Sequence, residues 1–139
     1  MARTLNRGQA AIVSPGRTAA QARGESAERL AEAHLALNRV VTLARNVHCR
    51  GGEADLVCLD AGTVVFVEVR LRTSTRFGGA AESITPRKQQ RVILAARWWL
   101  AGAGRRYAGH NIRFDAILLD SLDATRIEWV RAAFDAQAW

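Results

Sequence analysis

The stretch "GGEADLVCLDAGTVVFVEVRLR", residues 51–72, limits what this chain can become more than any other. Two apolar runs meet at Ala61-Gly62, and a two-residue turn there folds them into an antiparallel hairpin. Strands disfavour acids, yet Glu53, Asp55 and Glu68 stand where valine would serve a sheet better. With Asp60 facing Thr63, counting back along both strands sets Leu59 against Val64, Val57 against Phe66 and Asp55 against Glu68. Glu53 then falls opposite Arg70. A three-residue loop would slip the register by one and leave the acids diagonal neighbours. Directly opposed side chains have Cβ atoms about 5 Å apart on one face.

Two bare carboxylates so placed repel each other unless a shared proton, an arginine or a divalent ion lies between them. Mg²⁺ suits such a pair, because it keeps several waters and needs only one or two carboxylates. A salt-bridge ladder, Glu53 with Arg70 and Asp55 with a neighbouring arginine, meets the same spacing. Spacing alone leaves both open. On the second strand Glu68 and Arg70 share a face, while Val65, Val67, Val69 and Leu71 form the opposite, core face.

Helical spacing of Ala27, Leu30, Ala31, His34 and Leu35 predicts a first helix from Arg17 or Thr18 to about Leu37, with Asn38 as its stop. Residues 40–49 predict a strand ended by Gly51-Gly52. After a Gly-containing loop, 74–83, Thr85 caps a second helix that starts at Pro86 and runs to about Leu100. Residues 111–121 predict a fourth strand and 125–130 a fifth. The fold class is α/β: a mixed sheet in the order α-β-β-β-α-β with flanking helices. It forms one domain over residues 17–139, behind a flexible basic tail, 1–16.

The formal net charge of +7 favours a polyanionic partner, nucleic acid first. Nineteen arginines and one lysine, Lys88, carry the positive charge. No apolar run reaches the ~18 residues of a membrane span, so no membrane partner is expected. Cys49 and Cys58 fit no metal or redox spacing and suit a reducing cytoplasm.

"GESAERLAEAHL", "RNVHCRGGEADLV", "VFVEVRLR", "RFGGAAESITPRKQQRV" and "RFDAILLD" together resemble the YraN-like family of bacteria. That family belongs to the restriction-endonuclease-like, PD-(D/E)XK nuclease superfamily. The resemblance spans roughly residues 20–130. It implies a restriction-endonuclease-like core in which Asp55 and Glu68 hold Mg²⁺ or Mn²⁺. Glu28 of the opening helix would serve as a further ligand, directly or through water, and the Val69 carbonyl would offer one more oxygen. Glu53 matches the acid of the family's Gly-Glu-x-Asp pattern. Arg70 sits where the superfamily expects lysine, the main departure. Arginine can meet negative charge on a phosphate but cannot act as a base near neutral pH.

The implied activity is phosphodiester hydrolysis on DNA, with branched forms favoured by analogy. The alternatives are a nucleic-acid-binding module of this fold that has lost cleavage, and a basic adaptor that docks an acidic protein. Arg87 and Lys88, two cations in the first turn of the second helix, suit a phosphate there; solvated surface charges explain them equally simply. Arg72 and Arg76 flank the end of the acid-bearing strand as a phosphate-contact rim. Trp98 and Trp99 are expected in the core or in an oligomer interface, such as a homodimer's, rather than stacked on bases. His34 is expected to pack on the first helix, and Asp115, alone on its strand, to be structural.

Overall fold

The computed structural model describes residues 18–71, 84–120 and 126–136. Helix α1 is Ala19–Leu37, followed by strands β1 (Val41–Cys49), β2 (Gly52–Asp60) and β3 (Thr63–Leu71). Helix α2 (Pro86–Ala101) and a short 3₁₀ turn, Arg105–Tyr107, lead to β4 (Asn111–Leu119) and β5 (Ile127–Phe134). The five strands form one sheet in sequence order. Only β3 and β4 run parallel, joined by the α2 crossover; the other pairs are antiparallel. Among the described residues no helix is long and apolar enough to cross a membrane.

Both helices begin at the caps their sequences announce. Thr18 and Gln21 form a reciprocal capping box on α1, and Asn38 ends it. Thr85 Oγ1 accepts the Lys88 N–H, with Pro86 in the first turn of α2. β5 extends four residues beyond the predicted end, to Phe134.

The sheet has two core faces where the alternation of β3 suggested one. Val65, Val67 and Val69 pack with Ala27, Ala31 and Leu35 of α1. Val64 and Phe66 pack on the other side with Val92, Ile93, Ala95 and Ala96 of α2. β3 is the central strand and is covered on both sides, so its run reads as almost continuous valine. Trp99 is buried with Phe66, whereas Trp98 is 54% exposed and lies outside the core. His34 meets Trp129 of β5 edge to face.

The β2–β3 register is Asp60↔Thr63, Leu59↔Val64 and Val57↔Phe66, as a two-residue turn requires. Ala61 and Gly62 hold φ of 48° and 93°, the left-handed pair of a type I′ turn. Alanine is strained there by about 1 kcal/mol or more, because its Cβ crowds the following carbonyl. Asparagine tolerates this region better. Ala61→Asn should therefore raise the melting temperature by a few degrees; an unchanged or lower value would mean that the turn carries no strain.

Asp115 of β4 is wholly buried at a register shift between β4 and β5. Arg113 forks onto both of its oxygens, at 2.8 and 2.9 Å, and also reaches Asp60. Trp129 Nε1 and the Ala132 N–H donate to the same carboxylate. It is a fully satisfied structural acid.

Candidate active site

The position of Asp55 follows from a break in β1 and β2. Asn46 of β1 has φ 48° and lies opposite Asp55, between the pairs Arg45↔Leu56 and Val47↔Ala54. Asparagine is one of the few side chains that enters this backbone region readily. The kink resets the alternation of both strands: Ala54 and Val57, three residues apart, pack on the same α2-side cluster. Strict alternation would place them on opposite faces. Beside the kink, the Arg45 guanidinium forks onto Glu32 of α1 and fixes that helix against β1.

At this break the β2–β3 ladder ends with Leu56↔Val67. Asp55 and Glu68 are not a ladder pair. Instead Asp55 Oδ2 accepts the Val69 N–H at 2.8 Å, so the side chain satisfies a donor that β2 leaves open. The register expected from the turn holds up to Leu56 and yields where the acids begin.

Three carboxyls nevertheless meet. Glu28 lies one turn before Glu32 on α1, and the Asp55 carboxyl acts on both Glu28 and Glu68 through its charge and side chain. Ionised carboxylates only accept, so any hydrogen bond between two of these groups requires a shared proton. Burial, and then the charge of Asp55, push Glu68 up to about 8 and Glu28 up to about 7. Burial also raises Asp55, against the opposing pull of the Val69 N–H. Glu68 Oε1 is buried with no hydrogen-bond partner among the described residues.

The nearby cations stop short of neutralising these acids. Arg70 Nη1 stands 3.9 Å from Glu68 Oε2, longer than a hydrogen bond, and its charge pulls down both Asp55 and Glu68. Lys88, at the start of α2, also acts on Glu68 through its charge.

Glu28, Asp55, Glu68, Val69 and Arg70 are thus brought to one place, and Lys88 acts on Glu68 through its charge. Val69 contributes its N–H there. The ladder of Glu53 with Arg70 is not formed: β2 and β3 have parted before Glu53, whose Oε1 lies 3.8 Å from Arg91 of α2. Arg87 is exposed on the first turn of α2. Arg72 and Arg76 lie outside the described residues, as does the basic tail, 1–16. Among the described residues no three His, Cys, Asp or Glu side chains stand in a metal-ligating arrangement.

Two participants were missed in the sequence. Asn46 carried a signal, since asparagine in the middle of a strand is unfavourable and invites a left-handed kink. Arg91 carried none, because its meeting with Glu53 depends on how α2 docks. Gly52 sets that docking: a Cβ there would stand 2.7 Å from the Arg91 carbonyl oxygen and 2.9 Å from the Ala95 nitrogen.

The chain matches the uncharacterised protein family UPF0102 over residues 27–119, a span that includes Glu28, Asp55, Glu68, Arg70 and Lys88. A UPF0102 protein of Methylobacillus flagellatus is 49% identical over 113 residues, covering 81% of this chain and 96% of the relative. One from Pseudomonas aeruginosa is 46% identical over 123 residues, covering 86% and 98%. One from Cupriavidus taiwanensis is 50% identical over 119 residues, covering 85% and 86%. With a match across both helices and the first four strands, and relatives alike over most of their length, the chain belongs to the uncharacterised protein family UPF0102.

Proposed function

We propose that this protein is a divalent-metal-dependent nuclease with a restriction-endonuclease-like, PD-(D/E)XK core, acting on DNA and favouring branched forms. The observation that carries the proposal is the meeting of Glu28 and Asp55 with the buried Glu68, whose Oε1 has no hydrogen-bond partner among the described residues. Burying like charges together is costly, and a fold gains nothing from it without a cation or proton to hold. The donor set suits Mg²⁺ or Mn²⁺: hard carboxylate oxygens, two of them on neighbouring strands. Asp55 and Glu68 would hold the ion, Glu28 would act through water, and the Val69 carbonyl is the expected further oxygen. Such an ion, when bound, polarises the phosphoryl oxygen and lowers the pKa of an attacking water.

The chain's own groups supply the rest. The Val69 N–H orients the Asp55 carboxylate, and Arg45 holds α1 in place so that Glu28 reaches it. Arg70, half-exposed beside Glu68, offers a permanent positive charge to a phosphate in front of the acids. That permanence favours a second reading, a DNA-binding module that does not cut, because arginine cannot take a proton from water.

The test is an assay on linear, flapped and four-way DNA, with Mn²⁺ and with EDTA. Cutting in Mn²⁺ that EDTA abolishes supports the nuclease; binding without cutting on all three substrates supports the second reading. Arg70→Ala should cost on the order of 2–4 kcal/mol in the cleavage barrier, as for loss of one charge-stabilising donor. Arg70→Lys should keep or raise turnover. Undiminished cleavage in the alanine variant would remove Arg70 from the mechanism.

A further inference from the structure

Helix α2 carries Arg87, Lys88, Arg91 and Arg97 and no acid in its 16 residues. Its outward positions recur at helical spacing: Arg87, Gln90, Leu94, then Arg97 and Trp98. A groove of about 410 Å³ runs along this face, lined by Gly51, Arg87, Arg91, Leu94 and Arg97. Leu94 is 42% exposed and Trp98, one turn further, 54%. Of the residues lining the groove, Arg91 stands 3.8 Å from Glu53, which lies two residues before Asp55. Lys88, in the first turn, acts on Glu68 through its charge.

We propose that this groove is a track for a single DNA strand, which it leads toward Asp55 and Glu68. Its size is that of a nucleotide-scale ligand site, too small for a duplex. Arginines along one helix face meet the phosphates, and the exposed Trp98 ring offers a flat surface on which an unpaired base can stack. Bases inside a duplex have no free face for it. An all-cationic helix also argues against a second copy of the chain as occupant, since a two-fold contact would set these cations against their own counterparts. The inference rests on the nucleic-acid part of the proposed function and narrows the substrate to DNA with an unpaired arm.

The experiment measures binding of fluorescein-labelled oligo-dT, and of a blunt duplex of equal length, to the metal-free protein in EDTA at low salt. Arg97→Glu should weaken oligo-dT binding about tenfold or more and flatten its salt dependence. Trp98→Ala should weaken oligo-dT by about tenfold and leave the duplex nearly unchanged, with Trp98→Phe restoring most of the loss. Both side chains are exposed, so all three variants are expected to fold, which a melting curve checks. Oligo-dT binding equal to wild type in Arg97→Glu and Trp98→Ala overturns the proposal. So does a wild-type dimer in sedimentation that Trp98→Ala splits without loss of DNA binding. Because no cleavage is read, an inactive protein that binds through this groove would sink the nuclease and leave the track standing.

Discussion

Asp115→Ala is expected to lower folding stability by about 3–5 kcal/mol in urea denaturation, the usual cost of removing one partner from a buried ion pair. The loss is large because four donors converge on one carboxylate: two from Arg113, one from Trp129 and one from the Ala132 backbone. Without it, the Arg113 charge is left in a largely buried place with Asp60 as its remaining carboxylate among the described residues. The β4–β5 pair loses its fastening at the same time. Asp115→Asn keeps the shape and part of the bonding, so it should fall between alanine and wild type. A change below about 1 kcal/mol for alanine would show that β5 is held by its apolar contacts alone.

The other large effect concerns protons and metal. The folded protein holds protons on Glu68 up to about pH 8 and on Glu28 up to about pH 7, where the unfolded chain releases both near 4.5. Between those limits the native state binds more protons than the unfolded state, so stability falls as pH rises. In EDTA the melting temperature should therefore decline from about pH 4.5 to about pH 8, and Glu68→Gln should flatten the decline. Mn²⁺ at pH 8 should reverse it, since an ion that binds only the folded state stabilises it by mass action. Asp55→Asn should abolish both the Mn²⁺ shift and any Mn²⁺-dependent cleavage. A melting temperature indifferent to Mn²⁺ at pH 8 would defeat the metal site.

Much of this arrangement was legible in the residues, and the exceptions have physical causes. Local chemistry wrote the caps of both helices and the turn at Ala61-Gly62, and the turn carried the register correctly from Asp60 to Leu56. The register failed at Asp55 because counting assumes two unbroken strands, and the kink at Asn46 belongs to a third strand that the hairpin does not contain. Glu53 was assigned to Arg70 by the same extrapolation. The second core face was hidden because an alternation in β3 cannot reveal that both of its sides are covered. The opening-helix glutamate was legible only through family resemblance. Its distance in sequence from Asp55 is closed by Arg45 and Glu32, which no local pattern links.

The two kinked residues have a second effect, at the margins of the sheet. Asn46 lies on β1 and Ala132 on β5, the two outermost strands, and each takes a positive φ, Ala132 at a register shift and Asn46 two residues past one. A flat outer strand is a template on which another chain can add its own backbone, the first step toward aggregation. Here each template is interrupted near its middle by a twist that a foreign strand cannot follow. The same two bends that aim one acid toward its neighbours and fasten another thus also keep the sheet from growing sideways.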